Sequence, residues 1–171
     1  MNYYLVTGGS GFIGRYLVNR LIKDKNKVIN LDIKKPKTIF KNETFIKHNV
    51  KNKIKNIKYK NKIKAVIHLA AQTSSIISEE NPQLDLLTNV IGTSNIIQFC
   101  KDYKIPILFS SSMAVYGNKK NNAKTSLSIY GISKKFSENL LFHHNESINK
   151  VSILRLFNVY GPGQNLDNLK Q

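Results

Sequence analysis

The segment Tyr3 to Gly14, YYLVTGGSGFIG, leaves few folds open to this chain. Tyr3 to Val6 favour a strand and run directly into a glycine cluster, after which Ile13, Leu17 and Leu21 begin an apolar ladder at helical spacing. The order strand, tight turn, helix is how a βαβ unit opens. Gly9, Gly11 and Gly14 fit the dinucleotide fingerprint G-x-G-x-x-G, and Gly8, Gly11 and Gly14 fit its wider-spaced form. In such a turn one glycine bends the chain, the next lets a pyrophosphate approach the backbone, and the last lets helix pack on strand. The exposed amides and dipole at the helix start favour an anion there.

A second strand, Lys27 to Leu31, ends in Asp32, at the offset of about twenty residues where such a unit carries its acidic residue. A carboxylate there accepts from both ribose hydroxyls of an adenosine and repels a 2'-phosphate, so the pattern predicts NAD rather than NADP. Lys34 and Lys35 just beyond soften that rejection.

With 171 residues, 41% of them hydrophobic, the chain suits one domain with a sizeable core. No window has the apolar length of a membrane span, and the chain enters its first strand without a leader pattern, so the reading is a soluble, cytoplasmic protein without a membrane partner. The single cysteine, Cys100, excludes an internal disulfide and suits a reducing compartment. A net charge of +17 ordinarily raises nucleic acid as a partner. Here Lys, Asn and Ile recur along the whole chain, and neither a base-stacking series nor a nucleic-acid motif accompanies the charge, so no nucleic-acid partner is assigned.

Further on, Thr44 to Lys47 reads as a third strand ending at His48-Asn49-Val50. Lys64 to Leu69 is a continuous apolar run of the kind buried on both faces of a parallel sheet, and it ends in Ala70-Ala71. Pro82 opens a helix through Leu86, Leu87, Val90, Ile91, Ile96, Ile97 and Cys100 that is apolar on more than one face and needs cover. Ile105 to Phe109 is a fifth strand ending in Ser110-Ser111-Ser112. A loop from Gly117 to Ser128 precedes a helix from Tyr130, and Val151 to Leu156 is a sixth strand. The alternation predicts a single α/β domain, 1–171, built on a doubly wound parallel sheet of six strands.

Tyr130 and Lys134 stand four apart, on one helix face. A phenol titrates near pH 10, but a nearby ammonium and a positive nicotinamide ring favour the phenolate, which makes Tyr130 a candidate general base. Ser112 is placed to orient the same substrate oxygen. The three suit oxidation of an alcohol with hydride passing to NAD. A tyrosine and lysine at this spacing are common on helices, and serines often cap strand ends; the fingerprint gives the combination its weight.

TGGSGFIG (Thr7 to Gly14), Asp32, HLAAQ (His68 to Gln72), NVIGT (Asn89 to Thr93), SSSMAVYG (Ser110 to Gly117), YGISK (Tyr130 to Lys134) and RLFNVYGPG (Arg155 to Gly163) occur in one order over nearly the whole chain. With them the chain resembles an extended short-chain dehydrogenase/reductase of the NAD-dependent epimerase/dehydratase family. The resemblance implies an NAD-binding Rossmann domain and a nucleotide-sugar substrate oxidised at C4. It implies Gly8, Gly11, Phe12, Ile13, Gly14, Asp32, Ile33, Asn49, Val50, Leu69, Ala70, Ala71, Asn89, Tyr130, Lys134 and Phe157 at the cofactor. Ser112, Met113, Tyr130 and Asn158 fall at the substrate, and Ser112, Tyr130 and Lys134 form the catalytic set, with no metal. It also implies a homodimer through the long helices within 82–103 and 130–145.

Three departures refine that expectation. Met113 and Ala114 stand where dehydratases and decarboxylases of the family carry an acid, which is the pattern of 4-epimerases similar to UDP-glucose 4-epimerase. Asn49 replaces an aspartate that accepts from adenine. The chain stops at Gln171, where the family continues into a smaller substrate-binding region, so a fragment without that region is expected. The alternatives are a non-catalytic NAD-binding module, a dehydratase or a keto-sugar reductase.

Overall fold

The structure, a computed structural model, describes residues 2–117 and 127–164. Six strands, β1 (Tyr3–Thr7), β2 (Lys27–Asp32), β3 (Glu43–Lys47), β4 (Ile63–His68), β5 (Ile107–Ser112) and β6 (Val151–Leu156), form one sheet in the order β3-β2-β1-β4-β5-β6. Every pairing is parallel, with Tyr3 opposite Lys27 and Ile107 opposite Val151. The chain winds outward from β1 in one direction and from β4 in the other. A crevice therefore opens at their C-terminal ends, where ligands of open α/β sheets bind.

Alternation along the strands feeds two cores, because successive side chains point to opposite faces. Val6, Val28 and Ile67 meet Val18 of helix α1 (Phe12–Lys23). Leu5, Ile29, Val66, Ile107 and Phe109 pack on the other face with Ile96, Phe99 and Cys100 of one helix and Leu141 of another. The doubly wound sheet of the sequence reading is thus realised. Burial pushes the Cys100 thiol up to about 12, as befits a packing residue.

The second layer has more breaks than its periodicity predicts. A short helix, α2 (Ser75–Glu80), precedes α3 (Pro82–Asp85), and each has its own cap, Ser74 accepting from the Ile77 amide and Asn81 from the Leu84 amide. Serine and asparagine compete for backbone donors in this way, which ends one helix and starts the next. Beyond α3 the turn widens to π geometry over Leu86–Ile91 before α4 (Gly92–Tyr103) resumes. There the hydroxyls of Thr93 and Ser137 both donate to the Asn89 carbonyl, and side chains inserted into the ladder in this way expand a helix locally.

The fifth strand lies two residues later than the apolar run suggested. Lys104 ends α4 in a left-handed conformation (φ 52°), Ile105 still donates to Cys100 in that helix end, and Pro106 has no amide to give. Ser110, Ser111 and Ser112 are instead paired strand residues opposite Leu154, Arg155 and Leu156. The helix α5 (Ile129–His143) leads to the edge strand β6, none of whose residues is buried. Leu86, Leu87 and Ile91, with Ile132, Phe136 and Phe142 of α5, are exposed. Residues 118–126 of the long loop lie outside the described residues. Among the described residues, no helix is long and apolar enough to cross a membrane.

Candidate active site

The turn after β1 is dictated by backbone contact. Gly8 has φ 72°, and a Cβ there would stand 2.7 Å from the Ala70 amide nitrogen. At Gly14 a Cβ would fall 2.1 Å from the Gly8 carbonyl oxygen, so α1 can approach β1 only with glycine in that place. At Gly9 a Cβ would fall 2.3 Å from the side-chain oxygen of buried Asn30, so the glycines beginning both spacings are sterically required. Gly11 differs, since a Cβ there meets nothing nearer than the Gly8 carbonyl oxygen at 3.3 Å. Its bare backbone faces the crevice. The first turn of α1 carries neither a side-chain cap bond nor an acidic residue. Its amides are thus free to meet a phosphate, and the residues present fit a dinucleotide.

Asp32 ends β2 with its carboxylate already oriented, Oδ2 accepting from the Ser10 amide at 3.0 Å and Oδ1 from the Lys34 amide at 2.9 Å. Each oxygen keeps a lone pair for a further donor. Asn49 spends its side-chain oxygen locally on the Lys51 amide, at 3.1 Å. Beneath the turn, buried Glu43 accepts from Arg15 Nη1 at 2.7 Å, Asn30 Nδ2 at 2.8 Å and the Phe40 amide at 3.1 Å. This brace, which anchors α1 to β2 and β3, escaped the sequence reading because its members lie far apart in the chain.

At the end of β4, burial and then the Lys134 charge push His68 down to about 3, so the imidazole is neutral. Thr93 Oγ1 donates to the Asn89 carbonyl and accepts from His68 Nε2 at 3.1 Å. His68 Nδ1 then accepts from the Thr7 hydroxyl at 2.6 Å, and Thr7 accepts from the Ala70 amide at 3.2 Å. The histidine ties β1, β4 and α4 together and is spoken for. Buried Asn89, expected at the cofactor, clamps Gln72, its Oδ1 accepting from the Gln72 amide at 2.9 Å and its Nδ2 donating to the Gln72 carbonyl at 3.0 Å.

Ser112 closes β5, its Oγ accepting from the Ala114 amide at 3.2 Å. Across from it α5 starts at the Ser128 cap, where the Gly131 amide donates to Ser128 Oγ at 3.1 Å. Buried Lys134 donates to the Ser110 carbonyl at 2.6 Å and lies 4.5 Å from the Phe109 ring centre. Burial pulls this ammonium down to about 8, against the opposing charges of Asp85 and Glu138. The Tyr130 phenol stands above its ordinary value: burial raises it most, a hydrogen bond with Ser112 opposes, and the Asp85 charge raises it further. The sequence reading expected a lowered phenol. Burial, which no spacing reveals, decides the sign in the free chain.

A second brace holds the wing. Glu138, buried two turns beyond Tyr130, accepts from Ser111 Oγ at 2.6 Å and from Arg155 Nε and Nη2, each at 2.9 Å. Burial works to raise this carboxyl, but the hydrogen bonds from Arg155 and Ser111 and the charges of Arg155 and Lys135 outweigh it and hold it low. Its place one turn after Lys134 on the same helix face was the available signal.

These elements enclose one cleft of about 1440 Å³. Every residue expected at the site lines it except Asn89, which stands one layer back. The cleft also takes in Ser10, Gln72, Thr73, Thr88, Val159 and Tyr160, which the reading did not assign. Among the described residues no group of three metal-ligating side chains occurs.

A doubly wound parallel sheet with a glycine turn, an open helix N-terminus and a carboxylate ending β2 defines a Rossmann-type dinucleotide-binding protein, here with a serine at the end of β5 and a tyrosine and a lysine on α5. Residues 4–170 match the NAD dependent epimerase/dehydratase family. The chain belongs to that family, whose cofactor is NAD. It is 37% identical, over 94% of its length, to a putative UDP-glucose 4-epimerase of Methanocaldococcus jannaschii, of which it covers 57%. It is 32% identical, over 96% of its length, to UDP-glucuronic acid decarboxylase 6 of Arabidopsis thaliana, covering 52% of that protein. The crystal structure of UDP-glucose 4-epimerase from Thermus thermophilus in complex with NAD superposes with a TM-score of 0.82 at 29% identity, over 96% of this chain and 58% of that one. The chain thus spans a little over half the length of these relatives.

Proposed function

We propose that the chain is the NAD-binding part of a nucleotide-sugar 4-epimerase, which oxidises the C4 hydroxyl of the sugar to a ketone and returns hydride to the opposite face. The observation that carries this reading is the gathering of Ser112, Tyr130 and Lys134 around the same cleft as the glycine turn and Asp32. Asp32 would accept from the adenosine ribose, and the amides at the start of α1 would receive the pyrophosphate. Bound NAD would supply the hydride acceptor and donor. Tyr130 would take the proton of the C4 hydroxyl and later return it, while Ser112 would hold the same oxygen. The raised phenol pKa keeps Tyr130 protonated in the free chain, and a cation arriving beside it stabilises the phenolate. Buried Lys134, titrating at about 8, would direct its remaining donors at the cofactor. Of the other residues lining the cleft, Met113 and Asn158 would face the sugar and Phe157 would lie beside the nicotinamide.

Met113 and Ala114 offer no carboxylate for elimination or decarboxylation, which supports an epimerase over those relatives' chemistries. The exposed apolar faces of residues 82–103 and α5 support a homodimer. The test is incubation with UDP-sugars while following both the C4 epimer and reduced cofactor. Epimer formation with no net NADH change is expected. Stoichiometric NADH consumption would point to a reductase, and NAD held without turnover to a non-catalytic module.

A further inference from the structure

Asp85 ends α3 fully buried. Its Oδ2 accepts from Ser78 Oγ at 2.6 Å, Asn89 Nδ2 at 3.1 Å and Gln72 Nε2 at 3.3 Å, whereas Oδ1 has no hydrogen-bond partner. Among the described residues no cationic side chain forms an ion pair with it. Glu138 makes the contrast, because its buried charge is answered by Arg155 and Lys135. Burying a carboxylate without such an answer is costly, and a cost of that kind concentrates where a site uses the charge.

What Asp85 holds lies next to the chemistry. Asn89 passes the contact on, clamping the Gln72 backbone and donating to Ser133 Oγ at 3.2 Å, while Ser133 donates to the Tyr130 carbonyl at 3.0 Å. Gln72 is part of the cleft wall beyond β4. The carboxylate therefore links that wall to the first turn of α5. The titratable groups sharing this interior are Tyr130, Lys134 and Glu138 of α5 and the neutral His68 of β4.

We propose that Asp85 is a positioning residue of this site: it locks Gln72 and Asn89 against the start of α5 and places a carboxylate that, among the described residues, has no ion-pair partner in the interior shared with Tyr130 and Lys134. The proposal rests on the NAD-linked reading of the cleft, yet Asp85 itself needs no contact with cofactor or sugar. Its charge raises both groups, so removing it moves both titrations downward together. A merely structural role would instead admit water to the site and move the two apart, Lys134 upward and Tyr130 downward, because burial is the largest cause of both shifts.

The experiment follows Lys134 by NMR in the full chain carrying 13C at the lysine Cε, the resonance being assigned by its loss in Lys134→Met. A midpoint near 8 stands apart from ordinary lysines. In Asp85→Asn, which keeps an oxygen acceptor and drops the charge, the midpoint falls by about one pH unit. In Gln72→Ala, which keeps the charge, it stays, while NAD affinity drops by about tenfold, the equivalent of one or two lost hydrogen bonds. An unchanged midpoint in folded Asp85→Asn overturns the proposal, as does an equal shift in Gln72→Ala. Asp85→Ser replaces the asparagine variant if that one does not fold, with the same expectation. Since the titration needs neither NAD nor sugar, a wild-type chain that binds no NAD refutes the functional reading separately.

Discussion

The wing formed by β1, α1 and β2 and the wing formed by β5, α5 and β6 are built on different principles. In the first, the brace of Glu43 lies beneath a turn where backbone meets backbone: Gly8 and Gly14 fit because no side chain can. In the second, long side chains do the joining, with Glu138 bridging Ser111 and Arg155 and Lys134 reaching Ser110. The second leaves Phe157 64% and Tyr160 87% exposed. A dinucleotide presents constant chemistry, so a rigid backbone cradle suits it. The second wing, for which we propose proton transfer, relies on buried charges, and these respond to substitution by titration as well as by packing.

The largest expected effect comes from the first wing. Gly14→Val drives a side chain into the Gly8 carbonyl and should cost at least about 3 kcal/mol, with loss of NAD binding, read by calorimetry and a cofactor titration. In the second wing, Glu138→Ala strands Arg155 and should cost about 3 kcal/mol, measured by denaturant unfolding. The same carboxylate makes a pH prediction. Its folded pKa is depressed, so its stabilisation is present above the unfolded value of about 4.3 and is lost as pH falls through the folded one. Wild type should therefore lose its advantage over Glu138→Gln in acid.

Smaller effects separate the wings further. Tyr130→Phe should cut turnover by about a hundredfold or more while leaving NAD affinity within about twofold if, as proposed, the phenol moves a proton and the cradle is untouched. Asp32→Ser should narrow the preference for NAD over NADP by about tenfold, measured by paired titrations. Smallest, Asn49→Asp should strengthen NAD binding by about threefold, because a second carboxylate oxygen remains free after the Lys51 amide is served.

The first wing was legible because its signals are local: the glycine spacing, the ladder of Ile13, Leu17 and Leu21, and Asp32 at the end of a strand. Helix α2 escaped because six residues hold too little periodicity, and the shift of β5 escaped because Ser110, Ser111 and Ser112 look like a loop until β6 pairs with them. Ser112, Tyr130 and Lys134 were visible as types at a spacing, but the raised phenol was not, since burial comes from the packed whole. Glu43 and Arg15 are 28 residues apart and Glu138 and Arg155 are 17 apart, so no window joins them. Asn89 is legible from its motif, but its contacts to the Gln72 backbone, 17 residues away in the chain, are not.

The most direct test of the central claim, that these residues form a working NAD cradle, is a calorimetric titration of the purified chain with NAD and then with NADP. The account predicts about one NAD per chain and an affinity for NAD at least about tenfold above that for NADP. Equal affinities would contradict the role given to Asp32, and no binding of either by a folded chain would contradict the cradle itself.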